Sequence, residues 1–401
     1  MNIPHDKFCI LPWVSIEASP IGTVRPCCLA DDEILDDAGN KFELSTANFA
    51  DIQNSRHMRK LREQFLAGEK PQTCRKCWNE ERGGRTSKRM HTLDRLKHSI
   101  VNTEWTADAK PLMFLDLKLG NICNLKCRIC GSWSSSQFAT EEINQLPRDE
   151  QKSSHAYQML RAGAWPRENE QFWQQIDSVL TDIRYIEFTG GEPFMIDEHF
   201  DMLQGIVDRG IAHQVEIHYN TNGTQYPARG QAIWQHFKTV EIAFSIDDIG
   251  ERFEYQRTNA DWAVVLDNIT SFQYLKTQMP NLQLQCCSTV NIFNVRYIDE
   301  LARWIVLQGF DFVYWNMMHD AWYFSIATLP DTAKAGITDH LRSADVPLQY
   351  REEFDRIVDF MNTGASTDGF MLRMKIADLD CKRNQNLRTV EPEFADLIAY
   401  E

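Results

Sequence analysis

The stretch Leu112-Met-Phe-Leu-Asp-Leu117-Lys-Leu-Gly120-Asn121-Ile-Cys123-Asn-Leu-Lys-Cys127-Arg-Ile-Cys130 decides how this chain is read. Leu112 to Leu117 is short and apolar and runs into turn residues, which predicts a buried strand. Gly120 and Asn121 mark the loop that follows. Cys123, Cys127 and Cys130 stand on that loop with C-x3-C-x2-C spacing. Three thiolates this close do not readily enclose a tetrahedral zinc, which takes four protein ligands in a structural site. They suit a cubane 4Fe–4S cluster with one iron left without a protein ligand, a position open to a substrate or cofactor. Chance clustering, or a zinc site completed from elsewhere, are the other readings of the spacing alone.

Working outward, five more apolar runs end in polar or glycine motifs. Arg184 to Phe188 ends in Thr189-Gly190-Gly191-Glu192-Pro193. Gln214 to Tyr219 ends in Asn220-Thr221-Asn222-Gly223. Val240 to Phe244 ends in Ser245-Ile246-Asp247, with Arg257 beyond. Leu282 to Val290 alternates and ends at Asn291, and Phe312 to Trp315 ends in Asn316. Trp262–Leu275 and Tyr297–Leu307 between them carry helical apolar spacing. Cys286 and Cys287 are adjacent on one strand and face opposite sides, so they read as structural cysteines.

Cys123 to Cys130, with Asn124 and Leu125 between the first two cysteines, resembles the signature of the radical S-adenosylmethionine (SAM) superfamily. Ile129 departs from it, since an aromatic residue is commoner there. Gly190-Gly191-Glu192-Pro193 resembles that family's GGEP motif. The resemblance implies an α/β fold, a partial (β/α)6 TIM-like radical SAM barrel, with functional residues at the carboxyl ends of its strands. It implies that a 4Fe–4S cluster on Cys123, Cys127 and Cys130 binds SAM through its open iron. Gly190, Gly191 and Glu192 would hold the methionine amino group: glycines allow close backbone approach, and carbonyls and a carboxylate accept from an ammonium. Thr221 and Asn222 would lie near the ribose or methionine, and Ser245, Asp247 and Arg257 would face the ribose and carboxylate.

A second set of cysteines comes earlier: Cys9, Cys27 with Cys28 beside it, and Cys74-Arg-Lys-Cys77. Ser19 to Cys28 reads as a hairpin with Gly22 at its turn, which would bring Cys9 near Cys27. Ser55–Leu66 reads as a basic helix, stopped by Gly68-Glu-Lys-Pro71. A four-cysteine zinc site and an iron–sulfur cluster are both open from spacing alone. Gly22-x4-Cys27 and the later C-x2-C resemble the twitch domain, the shortened relative of the SPASM domain, here preceding the barrel. That implies a small N-terminal α+β domain with an auxiliary iron–sulfur cluster, expected to be 4Fe–4S, on Cys9, Cys27, Cys74 and Cys77.

The chain of 401 residues divides on this reading into the auxiliary-cluster domain (1–82), a polar linker (83–110), the barrel (111–328) and a C-terminal helical extension (329–401). The long first crossover, Gly131 to Asp182, would cover the barrel mouth, and Trp315, Asn316, His319 and Trp322 lie near the sixth strand. With 43% hydrophobic residues the chain can bury a large core. Its 42 Lys+Arg against 57 Asp+Glu, net −15, argue against nucleic acid as a partner. Met1 to Phe8 lacks a signal-peptide core and no apolar run suffices to span a membrane, so a cytoplasmic location without a membrane partner is expected. There thiols stay reduced, and eleven cysteines point to metal ligation rather than disulfides. The implied reaction is reductive SAM cleavage to a 5′-deoxyadenosyl radical, which takes hydrogen from a peptide, protein or sugar-like substrate. The auxiliary cluster would transfer electrons, and a flavodoxin or ferredoxin would donate them. A zinc-stabilised, non-catalytic binding or scaffold protein on a degenerate barrel is the alternative from a different class.

Overall fold

The computed structural model describes residues 3–82, 86–167, 169–318, 321–364 and 367–400. His319 lies outside them. Among the described residues ten strands are present: β1 (Ser15–Ala18), β2 (Val24–Arg25), β3 (Phe114–Lys118), β4 (Lys126–Cys127), β5 (Tyr185–Thr189), β6 (Glu216–Thr221), β7 (Thr239–Ser245), β8 (Arg257–Thr258), β9 (Leu282–Val290) and β10 (Phe312–Met317). Eight form one sheet of order β10-β9-β7-β6-β5-β3-β1-β2, and β4 pairs with β8. The six strands expected from sequence, β3, β5, β6, β7, β9 and β10, are all there and are neighbours in chain order, as an α/β (β/α)6 succession requires. Contacts divide the chain into two compact units.

The first unit is Met1–Cys123, Ser132–Tyr219 and Pro227–Val240. β1 and β2 form the expected antiparallel hairpin. Gly22 turns it at φ +84, a left-handed conformation that side chains resist. The hairpin also continues the main sheet, because β1 pairs in parallel with β3. Helix Arg56–Leu66, capped by Ser55, buries Met58, Leu61 and Phe65 at helical spacing. Leu61 and Phe65 join Phe8, Trp13 and Trp78 in one core with Phe114 and Tyr185 of the sheet. The long crossover forms helices Ser136–Asn144, Arg148–Gln151, His155–Ala162 and Glu170–Val179. It docks on the N-terminal segment: Asn169 Nδ2 donates to the Leu44 carbonyl at 2.9 Å, and Trp165 packs against Gly22.

The sheet in this unit has two unlike faces. Phe188 stacks on Tyr219, which meets Trp234, and His199 from helix Glu198–Asp208 packs on both Phe188 and Tyr219. The opposite face carries Glu17, Asp116, Glu187 and His218, which are cross-strand partners in register. Helix Lys88–Leu96 lies on this face, with Lys88 Nζ 5.1 Å from the Phe114 ring and the Arg95 guanidinium 4.0 Å from that of Tyr185. A parallel sheet covered on both faces normally reads as apolar throughout, so a charged row on one of them marks that face for another use.

The second unit is Asn124–Gly131, Asn220–Tyr226 and Glu241–Glu401. β9 alternates in burial along its length, leaving Cys286 fully buried and Cys287 half-buried. Helices Trp262–Gln278 and Ile298–Gln308 follow β8 and β9. Beyond β10, Trp315 is core, packed against Tyr350 and Phe354, whereas Trp322 is exposed. The C-terminal region is helical, with Asp331–Ser343, Arg351–Thr363 and Phe370–Arg383 as its longest elements. Among the described residues no helix is long and apolar enough to cross a membrane.

Candidate metal and cofactor sites

In the first unit the four cysteines read as auxiliary ligands come together. Cys9 precedes helix Leu11–Val14, Cys27 follows β2, Cys74 ends the turn Gln72–Cys74, and Cys77 lies in helix Arg75–Arg82. Cys9, Cys27 and Cys77 are buried and Cys74 is half-buried. Burial holds the Cys9 thiol well above its ordinary pKa, and the negative fields of Cys74 and Cys27 push the same way. Cys74 is raised by burial and then by Cys27 and Cys77. Cys27 is pushed up to about 11 by burial, with the charge of Lys88 acting against the rise. Four mutually repelling sulfurs in an apolar surround become a favourable donor set only once a cationic centre neutralises them. An iron–sulfur core, larger than a single ion, meets that requirement, so the residues fit such a group. Among the described residues no group of three or more His, Cys, Asp or Glu is placed to hold a single metal ion.

Cys28 takes a different role. Lys88 Nζ donates to its sulfur at 2.9 Å and also meets Asp116 at 3.0 Å and Glu187 at 2.8 Å. Cys381 is exposed.

The glycine motif braces the chain that enters the cysteine loop. The amide of Gly191 donates to the Gly120 carbonyl at 3.0 Å, and that of Glu192 donates to the Ile122 carbonyl at 2.8 Å. A Cβ on Gly190 would stand 2.8 Å from the Gly120 oxygen, and one on Gly191 only 2.2 Å from the Ile122 oxygen. The paired glycines are therefore demanded by close backbone approach within the protein itself. The buried Glu192 caps the turn Pro193–Met195, accepting from the Phe194 amide. Cys123 is anchored by Ser136, whose hydroxyl accepts from the Cys123 amide and donates to its carbonyl.

In the second unit Cys127 lies on β4, directly opposite Arg257 of β8. Arg257 is buried and gives Nη2 to Asp247 at 2.6 Å, with Nη1 3.9 Å from the Cys127 sulfur. The Asp247 carboxylate raises the Arg257 pKa against the opposing effect of burial, with Cys127 and Cys130 adding to the rise. Asp247 also accepts from the Thr289 amide at 2.8 Å. Asn222 donates to Asn124 Oδ1 at 3.0 Å and accepts from Thr224, whose hydroxyl in turn accepts from Asn124 Nδ2 at 2.8 Å. Thr221 accepts from the Gly223 amide, and Ser245 ends β7 half-buried. The structure thus brings Cys127, Cys130, Arg257 and Asp247 into one electrostatic group, and ties Asn222 to the cysteine loop through Asn124.

Two buried contacts near the cysteine sets had no signal in the sequence. Lys88 falls in a stretch whose composition reads as linker. Arg128, between the second and third cysteines, is fully buried; it stacks 3.6 Å from the Tyr255 ring centroid and pairs with Asp380 at 2.6 Å. That pair spans 252 positions of the chain, beyond the reach of any local pattern.

A family model described as an iron–sulfur cluster-binding domain, SPASM, matches residues 9–78. No curated protein matches the chain. Among solved structures, native anSMEcpe with bound AdoMet is 15% identical with a TM-score of 0.39, the match covering 57% of this chain and 60% of that one. Streptococcus suis SuiB bound to S-adenosylmethionine is 12% identical with a TM-score of 0.33, over 77% of this chain and 66% of that one. The chain thus matches about 60% of the length of anSMEcpe. These TM-scores support no more than a likeness. It is the N-terminal segment, residues 9–78, that is similar to the SPASM iron–sulfur cluster-binding domains.

Proposed function

We propose that the protein is a radical SAM enzyme with an N-terminal auxiliary iron–sulfur domain. The observation that carries this reading is the bracing of the Cys123–Cys130 loop. Ser136 fixes Cys123, the Gly190-Gly191 turn clamps the chain just before it, and pairing with β8 holds Cys127. A loop with three thiols and so many dedicated contacts suits a 4Fe–4S cluster with one open iron. When bound, such a cluster and SAM supply reductive cleavage of the sulfonium and a 5′-deoxyadenosyl radical.

The chain's own residues do the rest. Gly190, Gly191 and Glu192 shape the turn for the methionine end of SAM, and Arg257, held by Asp247, places a fixed positive charge beside Cys127 and Cys130. Thr221, Asn222 and Ser245 stand at strand ends on the ribose side. Cys9, Cys27, Cys74 and Cys77 would hold an auxiliary cluster, which would supply an acceptor for the electron that a substrate radical gives up on oxidation. Residues 1–82 form this domain, 83–110 the connection, 111–328 the barrel and 329–401 the extension. The substrate is a peptide, a protein or a sugar-like molecule, and a flavodoxin or ferredoxin supplies reducing electrons in the cytoplasm.

Anaerobic reconstitution with iron and sulfide tests the reading. The wild type should turn brown, bind both elements and release 5′-deoxyadenosine from SAM under a strong reductant, and Cys127→Ala should abolish that release. Zinc with neither iron nor colour would establish the scaffold alternative instead.

A further inference from the structure

Lys88 joins the N-terminal thiol loop to the charged row on the sheet. Its ammonium meets three acceptors at 2.8–3.0 Å: Cys28 Sγ, Asp116 Oδ2 and Glu187 Oε2. Cys28 is bonded directly to Cys27. Asp116 and Glu187 are register partners on adjacent strands, so the sheet fixes their spacing. The Lys88 side chain is only 17% exposed and that of Asp116 2%.

The ammonium is also held rigidly. Ser87 caps its helix and donates to Glu81 at 2.6 Å. Arg89, the next residue, pairs with both oxygens of Glu81 and donates to the Phe8 carbonyl at 2.9 Å. Glu81 lies one turn beyond Cys77, and Phe8 precedes Cys9. Residues 87–89 therefore tie together the chain flanking three of the four thiols.

A fixed charge in such a place acts on any redox centre beside it. Gaining an electron adds negative charge, which a nearby ammonium favours and nearby carboxylates oppose, with little water to screen either. We propose that Lys88 is a positioning residue that raises the reduction potential of the iron–sulfur centre on Cys9, Cys27, Cys74 and Cys77, and that Asp116 and Glu187 lower it. This rests on the reading that those four cysteines hold a cluster. The arrangement gives the auxiliary centre a charge environment set by the same sheet face that carries Glu17 and His218.

The test uses the full chain with Cys123, Cys127 and Cys130 all changed to Ala, leaving the N-terminal thiols as the ligand set. It is reconstituted with iron and sulfide and titrated potentiometrically by electron paramagnetic resonance. Lys88→Met should lower the equilibrium constant for reduction at least tenfold, about 59 mV for one electron. Asp116→Asn should raise it, and Lys88→Arg should keep it near the parent value. A loaded cluster whose potential is unmoved by Lys88→Met, or moved in the same direction by both neutral variants, overturns the inference. A parent that binds no iron overturns the underlying reading of the four cysteines instead. Should Lys88→Met fail to load, Asp116→Asn decides: an unchanged or lower potential overturns the inference.

Discussion

Replacing Asp380 with alanine should destabilise the protein by about 4 kcal/mol, because it strips a buried guanidinium of its counter-charge. Asp380 Oδ1 accepts from Arg128 Nη2 at 2.6 Å and from the Tyr255 hydroxyl at 2.8 Å. Its Oδ2 accepts from the Leu387 amide and the Tyr400 hydroxyl, both at 2.9 Å. The Arg128 side chain is wholly buried and Nη1 has no hydrogen-bond partner among the described residues, so the Tyr255 carbonyl and Gln385 would be left to solvate the charge. Breaking a buried pair from one side costs about 3–5 kcal/mol, and the hydrogen bonds lost with it are part of that sum rather than additional to it. Asp380→Asn keeps much of the hydrogen bonding and loses the charge, so it should cost about half as much. Arg128→Met with Asp380→Leu, which removes both charges, should cost less than the sum of the two single changes, the remaining loss coming from the Tyr255, Tyr400 and Leu387 donors left without an acceptor. Denaturant unfolding of these proteins, with Arg128→Met and Asp380→Leu also measured singly to complete the cycle, gives the coupling energy from midpoints measured at equal slope. A loss under about 1 kcal/mol for Asp380→Ala would refute the idea that the C-terminal region anchors the cysteine loop through Arg128. The same variant should bind less iron at the Cys123 site, since Arg128 sits between two of its ligands.

Three further outcomes follow from the geometry. Gly191→Ala places a methyl group 2.2 Å from the Ile122 oxygen, so SAM cleavage, read as 5′-deoxyadenosine formed, should fall more than tenfold. Cys28→Ala should leave the auxiliary iron content intact whereas Cys74→Ala should reduce it, as measured by iron and sulfide assay. Burial holds His199 down to about 3, where its ring is neutral: Nδ1–H donates to the Ile196 carbonyl and Nε2 accepts from the Tyr219 hydroxyl. The unfolded chain therefore takes up the proton first as pH falls. Stability from His199 is complete above about pH 6.5 and is lost toward pH 3, at no more than about 1.4 kcal/mol per pH unit. Thermal unfolding from pH 7 to pH 4 should show this slope in the wild type, and His199→Phe should lack it.

Much of the fold was legible because its signals are local. Each strand of the barrel set announced itself as an apolar run ending in a polar motif, and Gly22 marked a turn that needs its left-handed φ. What was hidden depends on distant partners. The hairpin of β1 and β2 reads as part of a separate small module, yet β1 pairs with β3 and extends the main sheet. The long crossover, expected over the barrel mouth, meets the loop after β3 through Ser136 and Gly163, and it also packs on the N-terminal segment through Asn169 and Trp165, a contact no local pattern announces. The stretch after residue 82 reads as linker because it is polar, but its helix Lys88–Leu96 spends that polarity on buried acids rather than on water.

The amino-acid order alone determined the spacing of both cysteine sets, the glycine pair and the succession of strands, since each depends on residues within one turn or one loop. Tertiary structure alone decided which neighbour each charged or thiol group meets. It put Cys28 against Lys88 while its neighbour Cys27 joins the thiol quartet, and it set Arg128 on Asp380 from the far end of the chain. The reason is physical: a buried charge or thiol takes its partner from whatever packing brings within a few ångströms, and packing follows the whole fold rather than the local pattern.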